Sequence, residues 1–258
     1  MGCSTFTVQR AGFKVQRTGF GSAQPASYFF PSAANAQGAF GATFKTRLVL
    51  TNPGSSTISI LATLSTPTGS PGTRTITLGP AETLVYANFL QEVFEYTGGG
   101  GFRLAESTGS MPFYAVGEVY AENENGRFGT PLSGMSAEDR VVNLASGETG
   151  YSTATGLFVD ASNRANFGCA NMDGTPVAVR ADIYSEASSV TPVAKVELGL
   201  LSNGWQQQSV PVSGLVIRIL FWQLTAGGLN GSYCYGVNVN NPSGDGTLSP
   251  ALYAPRVD

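Results

Sequence analysis

Cysteine is the side chain with the most distinctive chemistry in this sequence, and it occurs three times, while histidine is absent. Cys169 and Cys234 lie in alternating apolar and polar segments, matched earlier in the chain by segments that carry Leu50 and Ala115 at the same places. Two cysteines present in only one of two like segments are what a disulfide added to one copy would look like. Cys234 shares a strand face with Gly236 and Asn238, so two buried free thiols are the competing reading. Cys3 stands in Met-Gly-Cys-Ser. Gly-Cys-Ser surrounds the lipidated cysteine of bacterial lipoproteins, but the upstream apolar part is missing, and Phe6 stands where myristoylation wants Ser or Thr. An incidental thiol, a lipid anchor and an intermolecular bond are all readings of Cys3.

The other reactive types are sparse. Without histidine the chain lacks the commonest general acid/base and the commonest imidazole metal ligand. Glu122-Asn-Glu-Asn-Gly126, Asp173-Gly174 and Asp245 offer carboxylates in turns, but without the regular spacing of a calcium loop. Gly98 to Gly101 is followed by no Gly-Lys-Ser/Thr, so it is not a phosphate loop. A Gly-x-Ser-x-Gly elbow would have no histidine partner. Acidic residues in turns and on outer strand faces are poor material for a glycosidase pair. The expectation is a protein that is not an enzyme and carries no cofactor or metal. Tyr114, Tyr120, Tyr233, Tyr235, Trp205 and Trp222 could stack on sugar rings from a flat sheet face, or fill a core or interface.

The elements that must position these residues come in two copies. Thr46 to Leu64 and Ala165 to Ile183 both read as strand, Asn-led turn, strand. Asn171 lies 119 positions beyond Asn52 (171 − 52), and the same offset pairs Leu48 with Phe167, Leu50 with Cys169, Ile58 with Val177 and Ile60 with Val179. The intervening residues, Thr57, Ser59 and Thr63 or Pro176, Arg180 and Asp182, read as a solvent face. Gly236 is likewise 119 beyond Gly117, and Pro250 is 119 beyond Pro131. Val141 to Leu144 reads as the entry strand of the second copy, answering Ser27 to Pro31. Asn88 starts a short helix over Phe89 to Phe94. Charged residues are 12%, against about 25% in ordinary soluble domains, and net charge is −3, so no basic field attracts nucleic acid. No apolar run is long enough to span a bilayer as a helix.

Residues 1–26 differ from the rest. Val8-Gln-Arg-Ala-Gly-Phe13 returns as Val15-Gln-Arg-Thr-Gly-Phe20, and Phe6, Val8, Phe13 and Val15 alternate with polar neighbours. This is an extended tail, read either as a loose tail or an extra strand on the first domain, or as a strand donated to a neighbouring subunit's sheet.

The stretch Arg47 to Ile60, the Gly79-Pro80 turn, the helix from Asn88 to Phe94 and the segment Asn241 to Pro250 together resemble the tandem β-sandwich modules of secreted bacterial proteins of uncharacterised function. That resemblance covers about residues 27–258, implies fold and export, and carries over no catalytic residue. The expectation is an all-β chain with an extended tail at 1–26 and two Ig-like or jelly-roll-like antiparallel β-sandwich domains at 27–135 and 136–258. The expected role is an extracellular or cell-surface structural protein that forms homo-oligomers or polymers. The runner-up is a glycan-binding or adhesive module.

Overall fold

The two asparagines at the centre of the matched stretches hold the same corner twice. Asn52 and Asn171 are fully buried. The Oδ1 of Asn52 accepts from the Gly54 N–H (2.9 Å), and its Nδ2 donates to the carbonyls of Ser56 (2.8 Å) and Gly79 (2.7 Å). The Oδ1 of Asn171 accepts from the Asp173 N–H (3.1 Å), and its Nδ2 donates to the carbonyls of Thr175 and Leu201, both at 2.8 Å. A short amide side chain thus satisfies backbone groups left over where a strand turns a corner.

The computed structural model describes residues 26–38, 41–123 and 126–254. In the first half, β1 is Ser27–Gln37, β2 Thr43–Thr51, β3 Ile58–Ser65, β4 Thr73–Leu78 and β5 Thr83–Tyr86. A short helix, α1 (Phe89–Phe94), is followed by β6 (Gly98–Glu106), β7 (Tyr114–Asn123) and β8 (Gly126–Leu132). The second half holds β9 (Tyr151–Val159), β10 (Asn163–Asn171), β11 (Val177–Tyr184), β12 (Ala194–Leu200) and β13 (Trp205–Ser209). It ends with β14 (Gly214–Gln223), β15 (Ser232–Asn240), β16 (Gly246–Pro250) and β17 (Leu252–Ala254).

All ladders are antiparallel. The first half is one curled sheet in the order β4-β3-β6-β1-β2-β7-β8, with β5 also beside β2. The curl comes at β1, which pairs with β6, shifts register between Phe30 and Ala33, and then reaches β2 at Ala36 and Gln37. The second half has two sheets, β12-β11-β14-β9-β17 and β13-β10-β15-β16. The strand orders agree, with β4-β3-β6-β1 answered by β12-β11-β14-β9 and β5-β2-β7-β8 by β13-β10-β15-β16. Leu48 faces Gly117 and Phe167 faces Gly236, so the 119 offset holds across both strands of the ladder.

Alternation fills each core from one face of every strand. Phe30, Leu48, Ile60, Phe89 and Phe102 fill the first, and Phe167, Ile183, Leu198, Ile219 and Phe221 the second. α1 plugs the end of the first core with Phe89, Leu90 and Phe94. Glu92 accepts from the Asn88 N–H at 2.6 Å, and Glu95 ends the helix in the left-handed conformation at φ 54°.

Three expectations need correction. The second half is entered by β9, not by Val141 to Leu144. Val141 and Val142 are buried, but this stretch only bridges to Ser232 and Gln223 before a 3-10 turn. Pro131 and Pro250 are not equivalent either, because Glu118 faces Pro131 whereas Val237 faces Leu248. The second hairpin is two residues shorter, with six residues between Val239 and Gly246 against eight between Tyr120 and Gly129. Finally, Asp182 is 4% exposed and so lies on no solvent face. Arg218, which reaches the carbonyls of Ala187 and Ser189 in the loop after β11, stacks on the neighbouring Tyr184 (4.6 Å), and Asp182 pairs with Arg180 at 3.1 Å.

Candidate functional site

Two of the four glycines at the start of β6 explain how closely the halves meet. A Cβ on Gly99 would lie 2.6 Å from the Trp205 ring, and one on Gly101 would lie 2.7 Å from the Ala170 Cβ. Only bare backbone lets the second half come this close. The Trp205 Nε1–H donates to the Pro31 carbonyl (3.0 Å), its backbone N–H donates to the Thr66 carbonyl (2.9 Å), and the Ser65 hydroxyl donates to the Asn171 carbonyl (3.0 Å). Phe29, Met135, Ala170, Met172 and Tyr233 form a third buried cluster inside this seam, with Trp205 against it. Phe29 and Tyr233 stack with centroids 4.2 Å apart, and the Arg103 guanidinium lies 5.7 Å from the Phe29 ring centre.

The connecting segment belongs to the seam. Met135 is 3% exposed and exchanges both backbone hydrogen bonds with Phe29, at 3.0 and 2.8 Å. Its counterpart in the second half is Leu252 of β17, which faces Thr153 of β9.

The aromatic residues singled out in the sequence divide accordingly. Tyr233 and Tyr235 are fully buried, and burial raises both phenols far above their ordinary range. The Tyr235 hydroxyl donates to Gln207 Oε1 at 2.7 Å. Tyr120 is buried beneath the Arg127 guanidinium, 3.6 Å from its ring centre. Trp222 is half-buried, donates to the Gly150 carbonyl (3.1 Å) and carries Arg180 over its ring at 5.0 Å. Tyr114 is exposed. Cys169 and Cys234 face each other across β10 and β15, joined by a disulfide with both residues fully buried. Gly236 also points inward, against Leu157. Phe6, Val8, Phe13, Val15 and Cys3 lie outside the described residues.

Beside the seam, the part of the β10–β15 face that β1 leaves uncovered floors a cleft of about 340 Å³. Arg164, Asn166, Trp205, Gln207 and Phe44 line it, with the end of β1 as a wall. Among the described residues no carboxylate lines it. Arg164 bonds Asn241 Oδ1 (2.7 Å), forms no ion pair among the described residues, and has its pKa lowered by burial. Nothing in its sequence context marks this cleft, since both walls come from distant segments.

Two buried carboxyls, Glu106 and Asp182, are held within the fold. Glu106 is buried at the end of β6, and its Oε2 accepts from the Thr108 hydroxyl (2.6 Å) and from the N–H groups of Thr108, Ser110 and Met111. Burial pushes this carboxyl up, but those donors outweigh it and hold the pKa at about 2. Burial raises the Asp182 carboxyl, opposed by Arg180 and Lys195. Among the described residues no three His, Cys, Asp or Glu side chains gather as metal ligands, and no helix is long and apolar enough to cross a membrane. No protein-family model, curated protein or solved structure matches this chain.

Proposed function

We propose that this chain is a non-enzymatic extracellular or cell-surface structural protein. Its two halves are tandem antiparallel β-sandwiches of Ig-like or jelly-roll-like kind, related by internal duplication, and copies assemble into a filament or layer with residues 1–26 as a donated strand. The observation that carries this reading is the set of open sheet edges. Among the described residues β4, β5 and β12 each pair with one strand only, leaving a row of backbone donors and acceptors for another chain. Phe6, Val8, Phe13 and Val15 have the alternate spacing that places side chains on one face of such an added strand. The shared offset and strand order support the duplication, and low charge with an apolar seam suits a building block. Electron microscopy of the full chain beside one lacking residues 2–26 tests the reading. Ordered polymers from the full chain alone support it; polymers from both remove the tail from the mechanism.

A second reading rests on the cleft. Arg164, without a carboxylate partner among the described residues and beside Trp205, Asn166 and Gln207, suits an acidic saccharide, with the ring against the aromatic face and its carboxylate on the guanidinium. A glycan array supports it only if acidic glycans bind and Arg164→Ala loses them.

A further inference from the structure

The rows that meet at the seam have counterparts outside it, several of which are exposed. Trp205, Ala170 and Tyr233 form one row across β13, β10 and β15, and in the matching register of the first half the row is Thr83, Thr51 and Tyr114. The next row, Gln207, Gly168 and Tyr235, is answered by Val85, Val49 and Val116. In the second half Ala170, Tyr233, Gly168 and Tyr235 of this face are buried, Trp205 is half-buried, and Gln207 is exposed at the cleft. In the first half it is bare, with Val85 55%, Val116 63% and Tyr114 44% exposed.

The opposite side of the seam behaves likewise. Arg103, Phe29 and Met135 form a row of the first half that meets Tyr233. The corresponding row of the second half is Leu220, Thr153 and Leu252, of which Leu220 is buried, Thr153 half-buried and Leu252 49% exposed. Phe158 and Leu215, facing each other on β9 and β14, add 40% and 51% exposed apolar surface.

We infer that a second copy of this chain covers the bare β5–β2–β7 face, laying its β14–β9–β17 face there as the first half lies on the second within one molecule. This rests on the assembly reading above and adds a contact to it. Contiguous exposed apolar side chains on a sheet face mark an interaction surface. The intramolecular seam supplies a tested way for two such faces to pack. Because the two surfaces differ, the contact is heterologous and propagates head to tail unless the rotation closes a ring. The match is one of rows and not of every contact: Thr83, in place of Trp205, is smaller, whereas Arg218 stands in place of Gly101 opposite Thr51 in place of Ala170, so the faces lie further apart there than in the seam.

The seam contact between Phe29 and Tyr233 maps onto Thr153 of one copy and Tyr114 of the next. The test is cross-linking of a Thr153→Cys, Tyr114→Cys double variant by a short bis-maleimide, with Cys3→Ser present throughout and electron microscopy run in parallel. Circular dichroism and an intact Cys169–Cys234 bond verify folding. The expected result is a ladder of dimers, trimers and larger species on a denaturing gel, with no product beyond dimer from either single variant. Polymers by microscopy without a ladder overturn the face-to-face contact and leave assembly standing. Neither polymers nor ladder overturns both. A ladder that appears only after residues 2–26 are deleted means the chain's own tail covers the face, and that also overturns the inference.

Discussion

Phe29 of the first half lies flat on Tyr233 of the second, with their ring planes 13° from parallel. Neither ring touches solvent to any useful extent, since Phe29 is 2% exposed and Tyr233 fully buried. A stacked pair contributes about 0.5–1.5 kcal/mol beyond its buried area, so this contact alone does not fix the halves. The fixing comes from the steric fit around it, where glycine backbone receives Trp205 and Ala170.

That fit predicts a compensating pair of substitutions. Gly99→Ala places a methyl against the Trp205 ring and should destabilise the protein by about 1–3 kcal/mol, the usual cost of overpacking. Trp205→Ala should cost about 2–4 kcal/mol through lost packing and the orphaned Pro31 carbonyl. In the double variant the Gly99→Ala penalty should vanish. Urea unfolding of the four proteins measures the coupling, and additive losses would show that the two residues do not share the contact.

The buried asparagines should behave as a matched pair. Asn52→Ala and Asn171→Ala each remove an acceptor and two or more donor contacts at a corner where the asparagine itself is fully buried. Each should cost about 2–4 kcal/mol, from several backbone groups losing partners at about 1–3 kcal/mol apiece. Thermal unfolding should show like losses for the two, and a loss at only one position would break the structural equivalence.

Glu106 carries the clearest pH dependence. Its folded carboxyl, held at about 2, lies below the ordinary glutamate value of about 4.3, so its stabilising effect is complete above the latter. That stabilisation is lost as pH falls from about 4.3 towards 2. Glu106→Gln should cost about 1.5–3 kcal/mol at neutral pH and much less at pH about 2.5. A Gln variant with an unchanged acid-unfolding profile would contradict this assignment.

The thiols give a chemical check. Native protein treated with maleimide should show no reaction at Cys169 or Cys234, because the bonded pair is fully buried. Cys169→Ala with Cys234→Ala should lower stability by about 2–4 kcal/mol. Peptide mapping by mass spectrometry reads the first outcome and denaturant titration the second.

Much of the architecture was legible because it depends on local alternation. Leu48, Leu50, Ile58 and Ile60 point inward for the reason their spacing gives, and the Asn-led turns lie where two alternating runs meet. Other features depended on distant partners. Gly98 to Gly101 reads as a flexible tract until Trp205 and Ala170, from the other half, are seen to occupy the space. Asp182 alternates like a solvent-facing residue, yet Arg180 and the covered sheet around Tyr184 remove it from water. Pro131 and Pro250 share an offset by coincidence of a shortened hairpin, which no single-residue match can detect. The cleft at Arg164 was invisible because its walls join β1 to β10 and β15.

The place of Met135 sets how the molecule responds to force. The residue joining the halves is hydrogen-bonded into the first sheet and packed into the seam, so there is no slack joint between them. Bending the molecule there requires parting Phe29 from Met135 and lifting Trp205 off its glycine seat together. Under tension the pair should therefore yield as one stiff rod and then rupture abruptly, with no earlier phase in which the halves swing apart.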